Sequence, residues 1–101
     1  MSAYVVAHVQ VTNREGFTAY QKGIMRAIKP FKGWILAADP GTRLEGDLLT
    51  NHNVILRFPT TRHVLNWYRS EAYQEIIPIR LENTDGPAVV YSLPGLDGDV
   101  D

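Results

Sequence analysis

The chain has no cysteine among its 101 residues, which excludes disulfides, thiolate nucleophiles and thiolate metal sites and fits a reducing compartment. It has no apolar run near the roughly 18 to 20 residues of a membrane span, and Met1-Ser2-Ala3-Tyr4 lacks the basic start and apolar core of a signal peptide. Neither charge sign is in excess. Ten basic residues are scattered among eleven acidic ones for a formal net charge of -1, so the positive footprint of a nucleic-acid binder is missing. These absences predict a soluble, cytoplasmic chain that partners neither membrane nor nucleic acid. There is also no G-x-S-x-G nucleophile elbow, and GTRLEG has no Lys-Ser/Thr to complete a phosphate loop. His8, His52 and His63 show no i,i+4 pairing and no nearby carboxylate triad. Asp97, Asp99 and Asp101 alternate like the start of a calcium loop but lack its remaining ligands, so no metal site is expected.

What is present suits one domain. A chain of this size buries roughly two thirds of its unfolded surface, enough for one modest core and no separate cofactor domain. Residues 4–11 (YVVAHVQV) are rich in β-branched side chains and end at the turn signal Thr12-Asn13, a first strand. Val5, Ala7, Val9 and Val11 make one wholly apolar face, and Tyr4, Val6, His8 and Gln10 make the other. Asn13 is placed to cap a helix in which Phe17, Tyr20, Ile24, Ile28 and Phe31 form an apolar stripe. Gly23 weakens that helix by roughly 1 kcal/mol relative to alanine, and Lys29-Pro30 predicts its end.

Residues 33–38 (GWILAA) predict a second strand, turned by Asp39-Pro40-Gly41. A short edge strand is expected at Arg43–Glu45, then a loop, then a main strand over Asn53–Phe58 with Val54, Leu56 and Phe58 on the core side. Pro59 ends it. Thr60 can cap a helix whose stripe is Val64, Leu65 and Tyr68 with Trp67 on the flank, and Ser70 starts another helix bearing Tyr73. Asp85-Gly86-Pro87 predicts a turn, and Ala88–Tyr91 the last strand. The domain is thus expected over residues 1–92. Residues 93–101 form an acidic tail whose apolar content is too low to order it unless it docks on something.

The order β-α-β-β-α-β is the α+β, ferredoxin-like arrangement, an antiparallel sheet with its helices on one face. Such helices cover Val5, Val9, Leu56 and Phe58. Tyr4, Val6, His8, Ile55 and Arg57 are left outward with no element to cover them, a patch that calls for a partner, most simply a second copy in a homodimer.

Four stretches carry a family resemblance: AYVVAHVQVTNREGFTAY, RLEGD, VILRFPT and NWYRSEAYQEIIPIR. They resemble domain-of-unknown-function family 1330, in the dimeric α+β-barrel superfamily that also holds cofactor-free quinone-forming monooxygenases and muconolactone isomerases. The resemblance implies a homodimer whose sheets face each other as a barrel, and it implies no particular reaction. Two departures stand out. Val90 is followed by Tyr91-Ser92 where such proteins usually run into Val-Glu-Gly, and Arg62 and His63 sit in a helix first turn that is usually acidic or small.

Six residues are the candidates for chemistry. His8 and Glu45 are proton acceptors, His8 as a neutral imidazole on the outward strand face and Glu45 beside the Gly46 turn. Arg57 can hold an oxyanion or carboxylate. Trp67 and Tyr73, six apart across the break at Ser70, are placed for their rings to converge. The resemblance to the monooxygenases implies that these two bind an aromatic substrate. Arg80 would add a positive charge to the same cleft. The function expected is a small-molecule enzyme without an organic cofactor. Its chemistry would be proton transfer, as in an isomerase, cyclase or cofactor-free monooxygenase, on an aromatic or enolisable substrate. The alternative is a non-catalytic ligand-binding or structural homodimer.

Overall fold

The computed structural model describes residues 2–47 and 50–97. Its elements run β1 (Ala3–Val11), α1 (Arg14–Ala27), β2 (Trp34–Asp39), β3 (His52–Phe58), α2 (Thr61–Tyr68), α3 (Glu71–Gln74), α4 (Ile77–Glu82) and β4 (Thr84–Pro94). The four strands form one antiparallel sheet in the order β2-β3-β1-β4. β1 and β3, the strands with a continuous apolar face, take the centre, where both edges are paired. Val5, Val9, Val11, Leu56 and Phe58 are buried beneath the helices, as their alternation requires.

Short-range hydrogen bonds start three of the helices. Asn13 Oδ1 accepts from Gly16 N–H at 3.1 Å, Thr60 Oγ1 from His63 N–H at 3.2 Å and Ser70 Oγ from Tyr73 N–H at 3.2 Å. α1 stops at Ala27, and a 3-10 turn over Lys29–Phe31 carries the chain through Pro30 to Lys32 at φ 60°. Phe17, Tyr20 and Ile28 of the predicted stripe are buried, and Ile24 and Phe31 pack partly against them. A Cβ on Gly23 would sit 2.9 Å from Ile76 Cγ2. The residue that weakens the helix is therefore the one that lets α1 approach the segment leading into α4.

Several expectations are corrected. No strand forms at Arg43–Glu45: Gly41 and Gly46 take φ of +79° and +89°, and Leu44 between them is 94% exposed with no sheet edge to meet. In α2 the buried side is Val64 and Trp67, while Leu65 and Tyr68 are 39% and 37% exposed. The helix is rolled so that the indole faces Phe58, ring centroids 5.3 Å apart. Pro78 lies in the first turn of α4, where its missing N–H costs nothing. Asp85-Gly86 is an irregularity within β4, with the register against β1 shifting between His8 and Gln10 and Gly86 at φ +72°.

β4 also continues past Ser92. Leu93 and Pro94 pair with Tyr4 and Ala3, Gly95 N–H donates to Ser2 O at 2.8 Å, and Ser2 Oγ donates to Asp97 Oδ2 at 2.9 Å. The first part of the expected tail is thus docked on the start of its own chain, and residues 98–101 lie outside the described part. Among the described residues no helix is long and apolar enough to cross a membrane.

Candidate functional site

α2 lies on the sheet, whereas α1 packs chiefly against α3 and α4 and stands off from the strands. The gap beneath α1 is a cavity of about 330 Å³, floored by the helix-side residues of β1 and β3 and closed by Phe17 and Ile24 of α1. Met25, Ile35 and Ala38 line it and are exposed, so they form its rim. That volume is at the small end of ligand sites, roughly 300 to 1,000 Å³.

Polar groups converge at one end. Tyr20 and Tyr73 hold their hydroxyls 2.8 Å apart, and Arg80 Nη1 donates to the Tyr73 hydroxyl at 3.1 Å. The Arg80 guanidinium carbon also lies 5.9 Å from the centre of the Tyr20 ring, a cation–π distance. Burial, and after it the neighbouring Tyr20, push the Tyr73 phenol far above its usual range, so it is a neutral donor at any working pH. Trp67 and Tyr73 are in ring contact, centroids 4.4 Å apart and planes tilted at 43°, each residue 1% exposed. Two buried donors on these residues, Trp67 Nε1 and Arg80 Nε, have no hydrogen-bond partner.

His52 lines the cavity too. It opens β3 opposite Val9 and stands edge-on to Phe17, with ring centroids 5.1 Å apart and planes at 74°. Burial, then the nearby Arg14 guanidinium, lower its pKa, opposed by Asp39. A neutral imidazole in an apolar cavity is a proton acceptor in waiting. Reasoning from sequence passed over His52, although it lies two residues before Val54 on the same alternation that put Val54 in the core.

Of the six candidate residues the structure brings together Trp67, Tyr73 and Arg80. It does not bring the other three to them. His8 pairs across the sheet with Asn53 and Arg57 with Tyr4, so both project from the open face, on the far side of the sheet from the cavity. There His8 Nδ1 is 2.6 Å from Asn53 Oδ1, and Arg57 Nε donates to Ser2 Oγ at 3.1 Å. Glu45 is exposed in the segment after β2. Within one subunit His8 and Arg57 are kept from the cavity by the pleat, because alternate residues of a strand face opposite sides of the sheet, and Glu45 lies outside the sheet. Among the described residues no group of three or more His, Asp or Glu could hold a metal.

The sheet order, with helices on one face only, defines the class: an α+β protein of ferredoxin-like fold. Within that class the chain belongs to the DUF1330 family, a domain of unknown function, whose model matches residues 2–92. No curated protein matches it. Solved structures do, at low identity. A protein of unknown function from Rhodopseudomonas palustris has TM-score 0.75 at 17% identity, covering 94% of this chain and 82% of that one. A Caulobacter crescentus protein provisionally named an antibiotic biosynthesis monooxygenase has TM-score 0.63 at 9% identity, covering 94% and 90%. A Bacteroides fragilis protein described as dimeric, with a ferredoxin-like fold, has TM-score 0.54 at 10% identity, covering 90% and 93%.

Proposed function

We propose that this protein binds a small, largely apolar or aromatic ligand in the cavity beneath α1, once in each subunit of a homodimer. The observation that carries this is the cavity itself: largely apolar walls with a few polar residues, Tyr20, Tyr73, Arg80 and His52, among those that line it. Titration calorimetry with one- and two-ring aromatic compounds, followed by crystal soaks, tests it. Binding is expected beside Trp67 and Tyr73, and it should be lost in Ala38→Trp, which plugs the rim. Compounds that bind Ala38→Trp as well as the parent would place the ligand elsewhere.

The homodimer is supported by the open sheet face. Cross-strand rows Trp34–Arg57–Tyr4–Leu93 and Ala37–Ile55–Val6–Tyr91 run over it, and Trp34 and Tyr91 are 70% and 61% exposed. Such an aromatic and aliphatic surface suits a second copy.

A second reading, in which the ligand is also turned over, is favoured by His52. An enzyme working by proton transfer on an aromatic or enolisable substrate needs a base in the cavity, and His52 is there where His8 and Glu45 are not. His52→Gln should then lower kcat by about 10²- to 10⁴-fold with smaller change in binding. Unchanged turnover in His52→Gln would remove it from the chemistry.

A further inference from the structure

Arg80 is a cation in an unusual position. It is 8% exposed, its Nη1 donates to a neutral phenol, its Nε has no partner, and among the described residues no carboxylate pairs with it. A buried guanidinium is normally paired, because an uncompensated charge out of water is costly. Here the neighbours that could have carried a carboxylate carry hydroxyls. Trp67, another residue of the cavity lining, carries a second buried donor without a partner, Nε1, and most of the remaining lining is apolar.

We infer that the ligand of this cavity is a monoanion with a compact apolar body, a carboxylate or an enolate, whose charged oxygen takes the place of the missing counter-ion at Arg80. The oxygen accepts from the guanidinium, and the body fills the space between Phe17, Ile24 and Leu56. Tyr73 accepts from Arg80 Nη1 and the Tyr20 ring lies 5.9 Å from the guanidinium carbon, so the guanidinium is fixed before the ligand arrives, and little ordering cost falls on binding. A carboxylate supplied from the chain would have closed the pair and left nothing for a ligand to neutralise.

This rests on the cavity being a ligand site, and the test separates the two. Isothermal titration of the unmodified protein is run with 2-naphthoate and with 2-naphthamide, which has the same body and no charge. The acid is expected to bind about 10- to 100-fold more tightly, the range that a hydrogen bond to a charged group supplies. Equal affinities, or tighter binding of the amide, overturn the anion and leave the cavity standing as a site for neutral ligands or water. Binding of neither overturns both. The second arm is Arg80→Met, which keeps the bulk and removes the charge. Its ligand-free form should melt at the same temperature as the parent or higher, because a charge held for a ligand is a burden without it. It should also lose the preference for the acid over the amide. An Arg80→Met protein that melts below the parent makes Arg80 a structural cation satisfied by Tyr73 and Tyr20, and overturns the inference.

Discussion

The hydroxyls of Tyr20 on α1 and Tyr73 on α3 meet at 2.8 Å inside the subunit. Tyr73 also accepts from Arg80, so it is the middle member of a three-residue chain. Tyr73→Phe removes Tyr20's partner and Arg80's acceptor together, and should cost about 1 to 3 kcal/mol in urea unfolding, the penalty for a stranded buried polar group. Tyr20→Phe strands only one group and should cost less. In the double variant the losses should fall short of their sum. Additive losses would mean that the two hydroxyls do not depend on each other.

Leu56 is 1% exposed between the sheet and the helices, and Leu65 is 39% exposed on the outer side of α2. Leu56→Ala should therefore destabilise by about 2 to 5 kcal/mol, whereas Leu65→Ala should cost less than about 1 kcal/mol. Denaturant midpoints at constant m-value decide it. Similar losses at both positions would mean that α2 is rolled the other way, with Leu65 inward.

His52 makes stability depend on pH. Its folded pKa lies below the ordinary 6.5, chiefly through burial. On acidification through that value the unfolded chain takes up a proton that the folded chain resists. The unfolded state then binds more protons, and stability falls as pH falls. The contribution is whole above the unfolded value and is lost on the way down to the folded one. Between about pH 7 and pH 5 the parent should lose more stability than His52→Gln, which lacks this proton uptake. Parallel pH profiles would show that His52 is freely hydrated.

On the open face Val6 lies between Ile55 and Tyr91. If two copies meet there, Val6→Arg buries an unpaired charge in the interface and should convert a particle of twice the chain mass into a single chain by light scattering. A parent protein that is already monomeric at micromolar concentration, or a Val6→Arg variant of unchanged mass, would remove the homodimer.

Much of this architecture follows from local rules that act within a few residues. Asn13, Thr60 and Ser70 each cap a helix by reaching a backbone N–H three residues on. The alternation in Ala3–Val11 and His52–Phe58 decides which side chains go under the helices, because the pleat has a period of two. Pattern and caps together were enough to order the elements as a ferredoxin-like fold and to leave one sheet face uncovered. They were not enough where two glycines turn the backbone around Leu44, or where β4 absorbs Gly86 as a bulge and keeps pairing, since either outcome depends on whether a neighbouring strand is within reach.

Residue by residue, the sequence alone determined that His8 and Arg57 share one sheet face and that Val5 and Leu56 share the other, since that much is written in odd and even positions. It marked Trp67, Tyr73 and Arg80 as worth attention. Only the tertiary structure decided that those three belong with Tyr20 and His52 around one cavity. Tyr20 and Tyr73 are 53 residues apart, and their meeting depends on how α1 stands off the sheet, a distance set by packing between α1, α3 and α4. The roll of α2 that buries Trp67 and exposes Leu65 has the same origin. Several rotations of an amphipathic helix bury similar apolar area, and the shape of the surface below, here the ring of Phe58, selects one of them.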